Sequence, residues 1–252
     1  MSEDLKITTV GIKKTLSNVS REQAVAEYIW NGFDAGATIV EVNAVPISDG
    51  FETLDHLTIR DNGEGIPSAT LKQKFGPYLE SLKAFRKASV KNSQIQGQEG
   101  KGRLTFYRFA NSARWDTTFV QNGRRYSYSI KIEANHLDKY DPSDPVEVKQ
   151  ANGTAVTFLG IHADFTLREV DTMIAPHLRN EFGWYLKLNE TAGKRILING
   201  TPLEYHSTIA DSESLPLRHD DSGITFQVDF IQWKARMDEY SKLYFLDQSH
   251  NE

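Results

Sequence analysis

Apolar residues at Ala24, Val25, Ile29, Trp30 and Phe33 recur at helical spacing. Ser20 and Gln23 stand three apart just ahead of them, as in a capping box, and Gly36 follows as a stop signal. The pattern predicts a helix over 21–35. Period-two alternation predicts strands over 37–45 (Ile39, Val40, Val42, Ala44) and 54–60 (Leu57, Ile59). A helix is expected from about Ser68, with 71–85 as its body, and another over 103–111 (Leu104, Phe106, Tyr107, Phe109, Ala110). Strands at 115–120 and 126–132 flank Asn122-Gly123, a hairpin signal. Strands at 146–149 and 155–159 are expected to pair. A long helix over 167–186 carries Val170, Ile174, Leu178, Phe182 and Tyr185, and strands at 195–198 and 202–205 flank Asn199-Gly200.

Strands interleaved with single helices predict an α/β fold: a two-layer α/β sandwich with a mixed, largely antiparallel sheet and helices on one face. The polar stretch 206–216 is the expected boundary between a domain at 1–205 and the beginning of a second at 206–252. Strands at 224–233 and 243–246 are too little for an independent core. The chain stops just after an apparent strand, so a longer polypeptide is expected.

Three stretches carry candidate chemistry. Glu27, Asn31 and Asp34 are spaced i, i+4, i+7 and share one helix face. A carboxylate one turn from an amide suits a water beside a metal-bound phosphate, although alone the pattern is equally a solvated polar face. The strand at 54–60 runs into Asp61-Asn62-Gly63-Glu64-Gly65-Ile66-Pro67. Its glycines allow close backbone approach, and Asp61 is an acceptor suited to an exocyclic amino group such as adenine's. Read alone, this is also a plain turn. Gly97, Gly100 and Gly102 precede the helix expected at 103–111 and suit an anion. The polar, basic 83–96 ahead of them reads as a mobile loop, not the strand a Rossmann site needs, and there is no P-loop match.

Composition narrows the options. The 252 residues carry a net charge of -5 with 25% charged, no cysteine and seven scattered histidines. Disulfides, Cys-based metal sites and zinc are not expected. Neither is nucleic acid, since the basic runs at 83–91 and Arg124-Arg125 read as local loops. The start, Met1-Ser2-Glu3-Asp4, lacks the basic opening of a signal peptide, and no apolar run approaches membrane-spanning length. A cytoplasmic location and no membrane partner are expected.

Taken in order, these residues resemble the GHKL superfamily of gyrase-type topoisomerases, ninety-kilodalton heat-shock chaperones, histidine kinases and MutL proteins. The matching features are E-x-x-x-N-x-x-D-A at 27–35, D-x-G-x-G at 61–65, G-x-x-G-x-G at 97–102 and a G-T at Gly153-Thr154 before a strand. Ser81-Leu82-Lys83 after Phe75-Gly76 resembles the F-G-x-S-x-K stretch of the MORC branch, with three extra residues after Gly76.

The resemblance implies ATP or ADP as ligand, Mg2+ as cofactor and a nucleotide lying between helices and sheet. Glu27 is similar to the general base, Asn31 to the magnesium ligand and Asp61 to the adenine-reading carboxylate. Gly63, Gly65 and Ile66 would pack beside the base, with Thr154 supporting Asp61 or a neighbouring water. Gly100, Lys101 and Gly102 are similar to the phosphate-covering lid. Arg103, Lys101 and Lys83 are candidate phosphate cations, the last also readable as a solvated charge. Asp34 would be structural or support the nucleotide set from behind. The family's following domain donates a cation to the γ-phosphate, for which Lys234 is a candidate.

The function implied is an ATP-binding and ATP-hydrolysing module, slow as an isolated fragment. Its lid closure would drive conformational change or ATP-dependent homodimerisation in a larger protein. The alternatives are a nucleotide-gated scaffold with little hydrolysis and a histidine kinase catalytic domain.

Overall fold

The computed structural model describes residues 8–48, 50–76, 102–219 and 222–234. Helix α1 (Thr9–Thr15) precedes α2 (Arg21–Asp34), where the Ser20–Gln23 capping box is formed in both directions. Strands β1 (Ile39–Pro46) and β2 (Leu54–Asp61) follow as an antiparallel pair. A 3₁₀ turn at Ser68–Thr70 leads into the short α3 (Leu71–Phe75); the rest of the helix expected over 71–85 lies outside the described residues beyond Gly76. The expected 103–111 helix is a 3₁₀ helix, Gly102–Arg108. Its span is cut because Phe109 is already buried and Ala110 opens the next strand. Thr105 Oγ1 also binds Gly102 O at 2.7 Å, which favours the tighter turn.

Strands β3 (Ala110–Gln121) and β4 (Arg124–Glu133) form the hairpin expected at Asn122-Gly123, both with positive φ. The short β5 (Asp141–Pro142) and β6 (Val146–Glu147) both pair with β4. The expected pairing of 146–149 with 155–159 does not occur. Strand β7 (Gly153–Ile161) buries Val156 and Phe158 and takes a central place between β2 and β3, whereas Val146 is exposed and stays at the edge. The helix expected over 167–186 is three pieces: α4 (Leu167–Glu169), a wide turn at Val170–Ile174 and α5 (Ala175–Leu188). Pro176, with no N–H to give, sits in the first turn of α5. Strand β8 (Arg195–Ile198) pairs parallel to β1, and the strand expected at 202–205 shrinks to β9 (Thr201–Pro202).

Among the described residues nine strands make one mixed sheet, in order β5-β4-β3-β7-β2-β1-β8-β9 with β6 beside β4. Only the β1–β8 contact is parallel. Register aligns Val42, Ile59, Val156, Trp115 and Ile130 across β1, β2, β7, β3 and β4. A second row holds Ala44, Leu57, Phe158, Ala113 and Ile132. Both rows are buried, and α2 lies against them with Tyr28 edge-on to Phe158 at 4.8 Å. Helix α5 packs on α2 through Trp30 and Phe182, 4.4 Å apart. The helices and the buried sheet face form the expected sandwich.

The polar stretch 206–216, expected as a domain boundary, has secondary structure of its own. It is a 3₁₀ turn at His206–Thr208 and then strand β10 (Ile209–Arg218), which pairs with β11 (Thr225–Trp233) in a separate two-stranded ribbon. Its polar composition suits a ribbon whose residues are nearly all exposed. The strand expected at 243–246 lies outside the described residues.

Phe158 is fully buried and touches the rings of Tyr28 and Phe109. Phe158→Ala is expected to lower unfolding free energy by about 3–5 kcal/mol in urea titration.

Candidate nucleotide-binding site

Sheet register builds the floor of the site. Asp61 on β2 is paired with Thr154 on β7, Thr154 with Thr117 on β3, and Thr117 with Tyr128 on β4. These four side chains therefore stand in one row at one end of the sheet. Asp61 Oδ1 accepts the N–H groups of Gly63 at 2.8 Å and Thr154 at 3.3 Å. The described bonds fall on that oxygen and leave Oδ2 to a ligand. The Thr117 and Thr154 hydroxyls are 3.1 Å apart, and Thr117 Oγ1 accepts the Ile66 N–H at 2.9 Å.

The turn after β2 is tied to the end of α2. Asn62 Oδ1 accepts the N–H groups of Thr38 and Ile39, each at 2.9 Å, and Glu64 N–H binds Ala35 O at 2.9 Å. Gly65 has φ 77°, and a Cβ there would stand 2.1 Å from Thr118 O. Any larger residue would lift Ile66 off the floor. Thr117 and Asn62 were not singled out from the sequence. Thr117 carried no signal, because its role follows from strand register; Asn62 was visible as a side chain able to bond nearby backbone within the turn.

Along the edge of α2, Glu27 and Asn31 stand one turn apart, with Asp34 further on. Asn31 is exposed, while Glu27 and Asp34 are partly buried. A Cβ on Gly102 would lie 2.2 Å from Glu27 Oε2, so the backbone at the glycine motif's end abuts this carboxylate. Tyr28 Oη donates to Arg103 O at 2.8 Å and fixes that approach. The Arg103 guanidinium donates to Phe75 O at 2.9 Å and lies over the Phe75 ring at 5.5 Å. Gly97, Gly100, Lys101, Lys83 and the Ser81-Leu82-Lys83 stretch lie outside the described residues. Lys234 is exposed at the end of β11, its N–H on Thr208 O at 2.8 Å.

Burial dominates the electrostatics. It raises Asp61 to about 6, against the bonds from Gly63 and Thr154. Burial and then Glu27 raise Asp34 to about 7, opposed by Lys194. Burial and then Glu181 raise Glu27. Glu181, on α5, also accepts the Trp30 indole N–H at 3.3 Å. Among the described residues no cluster of three His, Cys, Asp or Glu could hold a metal. A magnesium ion here would rest on Asn31, phosphate oxygens and water. That fits an ion that binds few protein groups and keeps much of its hydration.

The family described as histidine kinase-, DNA gyrase B-, and HSP90-like ATPase matches residues 19–155. The chain belongs to this family, within the GHKL superfamily. The matched span runs from the capping box of α2 through Thr154 and includes Glu27, Asn31, Asp34, Asp61, Gly65, Ile66, Gly102, Arg103, Thr117 and Thr154, but not Lys234. A comparison with curated proteins finds no match. The chain thus carries an ATP-binding module of the ATPase type. Among the described residues no helix is long and apolar enough to cross a membrane.

The raised carboxylates set a pH dependence. Asp61 and Asp34 bind their protons more tightly folded than in an unfolded chain, where carboxyls titrate near about 4. Their contribution to stability is present below that value and is lost as pH rises through about 6 and about 7. Asp34→Asn should therefore raise the stability of nucleotide-free protein at about pH 8 by roughly 1–3 kcal/mol and do little at about pH 4. Urea unfolding at the two pH values checks this, and equal stability of both proteins at the higher pH would contradict it.

Proposed function

We propose that this protein hydrolyses ATP with magnesium, and that closure of the Gly100-Lys101-Gly102 segment over the phosphates drives conformational change or homodimerisation in a larger assembly. The observation that carries the reading is convergence. The glycine at 102 abuts Glu27, while Asp61, Gly65, Ile66 and Thr154 meet at the neighbouring end of the sheet. These residues are far apart in the chain, and both carboxylates, Glu27 and Asp61, are partly buried.

Asp61 Oδ2 is free to accept the adenine 6-amino group while Oδ1 is held by backbone. Guanine would present O6, an acceptor facing an acceptor, so GTP should bind far more weakly. Glu27 is the base for the attacking water: burial raises its proton affinity, and its place against Gly102 puts it where the glycine segment meets the helix. Asn31 is the protein's magnesium ligand, and the ion would shield phosphate charge. Phosphoryl transfer needs positioning and charge neutralisation more than covalent help. Lys101 suits the phosphates, and Arg103 holds the root of its segment through Phe75. The cytoplasm is the proposed location.

Asp61→Ala should remove ATP binding in calorimetry, a loss of roughly 1.5–3 kcal/mol from the charged hydrogen bond alone. Unchanged affinity in a folded variant would sink the adenine assignment. Glu27→Ala should bind ATP yet turn over about 10²–10⁴-fold more slowly in a phosphate-release assay. Turnover equal to wild type would place the base elsewhere and favour a nucleotide-gated scaffold.

A further inference from the structure

The ribbon of β10 and β11 carries none of the nucleotide-site residues, and its two faces differ. Register pairs Glu213 with Phe230, Leu215 with Val228 and Leu217 with Phe226, which places these side chains on one face. The other face carries the pairs Ser214–Asp229, Pro216–Gln227 and Arg218–Thr225. There Ser214 Oγ donates to Asp229 and accepts from Gln227 Nε2 at 2.6 Å. Leu215, Leu217, Phe226, Val228 and Phe230 are between 40% and 55% exposed. Two strands with a bare apolar face are marginal by themselves, and further strands or a covering layer make such a sheet stable.

The two outer edges of the ribbon are not equivalent. At its tip His219 N–H bonds to Ile224 O at 2.8 Å. Antiparallel strands alternate inward and outward backbone groups. The uniform register from Asp211 to Arg218 therefore turns the groups of Leu215 and Leu217 inward and those of Ser214, Pro216 and Arg218 outward. On β11, Phe226, Val228 and Phe230 face inward, while Thr225, Gln227, Asp229 and Ile231 face outward. Pro216 has no N–H and so interrupts the outer edge of β10, a usual guard against further pairing. The outer edge of β11 has no proline or glycine, and among the described residues no strand lies beside it.

That open edge reads alike from both ends. In Thr225-Phe226-Gln227-Val228-Asp229-Phe230-Ile231, polar residues flank Val228 and a phenylalanine stands two positions away on each side. We propose that β11 is a self-association edge: two copies of this chain pair antiparallel about a twofold axis at Val228 and form a four-stranded sheet. Val228 then meets Val228 of the second copy, Phe226 meets its Phe230, and Gln227 meets its Asp229. Outward groups face outward groups, so Gln227 and Asp229 take hydrogen-bonded positions and Val228 the close, non-bonded one. Centring on Asp229 would oppose two like charges. Centring on Gln227 would leave only Thr225–Asp229 overlapped within the strand. Pro216 closes the far edges, so assembly stops at two copies. The overlap Thr225–Ile231 is only about 24 Å long, too little for a standard interface of about 800 Å² per partner, so association is weak and reversible. It needs no nucleotide and is separate from the ATP-driven change proposed above.

The chain has no cysteine, so a single introduced thiol reports the register. Val228→Cys places two Cα atoms about 4.5 Å apart across the axis, within disulfide reach. Phe226→Cys leaves its two copies about 14 Å apart along the strands. Under mild oxidation Val228→Cys should form covalent dimer at least about tenfold faster than Phe226→Cys. Sedimentation equilibrium of the 252-residue chain without nucleotide should show a reversible dimer with Kd on the order of 10–100 μM. Gln227→Pro should abolish it and leave the melting temperature near that of the unaltered chain, because that N–H faces outward. If Gln227→Pro fails to fold, Gln227→Lys should tighten the dimer and Gln227→Glu weaken it, each by about two- to tenfold. A monomer at every concentration, equal cross-linking of the two cysteine variants, or a dimer indifferent to these Gln227 substitutions would each overturn the proposal. A monomer that Gln227→Pro destabilises would assign the edge to residues 235–252 of the same chain and overturn it too. A dimer that forms only with a non-hydrolysable ATP analogue would overturn it while leaving the ATP reading intact.

Discussion

The Asp61 oxygen that accepts the N–H groups of Gly63 and Thr154 joins three pieces of backbone: the end of β2, the glycine turn and the start of β7. The rest of the site hangs from that junction. Thr154 carries Thr117 beside it, Thr117 holds Ile66, and Asn62 ties the turn to the segment after α2. Because one carboxylate oxygen is occupied by backbone, the other is presented in a fixed direction. A carboxylate so held accepts a ligand's amino group with little further ordering.

This arrangement has an energetic cost. Glu27, Asp34 and Asp61 are all pushed towards their protonated forms by burial, and Lys194, whose charge opposes the shift at Asp34, is itself desolvated. The core offsets the cost. Rows of apolar side chains cross five strands, and α2 is locked on them through Tyr28, Ile29 and Trp30. Stability is thus concentrated behind α2, while its polar edge is kept less stable and ready for a charged ligand. Such strain at a site, supported by a well-packed neighbour, is a common division of labour.

The ribbon of β10 and β11 follows a different rule. Leu215, Leu217, Phe226, Val228 and Phe230 share one face and are each at least 40% exposed. The ribbon meets the main body where Trp233 packs against Gly183 of α5 and Lys234 bonds to Thr208. Its alternation satisfies strand pairing without supplying a core, and so the polar stretch 206–216 gave no signal for the strand that forms there.

Local chemistry is enough for much of this molecule. The capping box, the apolar period of α2, the alternation of β1 and β2, and the Asn-Gly turn between β3 and β4 are set by neighbours within a few residues, and each was legible. The family was legible too, from the order of the Glu27–Ala35, Asp61–Gly65 and Gly153-Thr154 stretches, all of which fall within the matched residues 19–155. Partnership across the chain was not. Which strand lies beside β7, that Thr117 stands in the row of Asp61, and that Lys194 lies over the Tyr185 and Phe33 rings all depend on register and on one parallel crossover. Helix type at 102–108 likewise turned on where Phe109 enters the sheet. Those choices are made by burial of the whole sheet face, summed over residues that the chain brings together only when it folds.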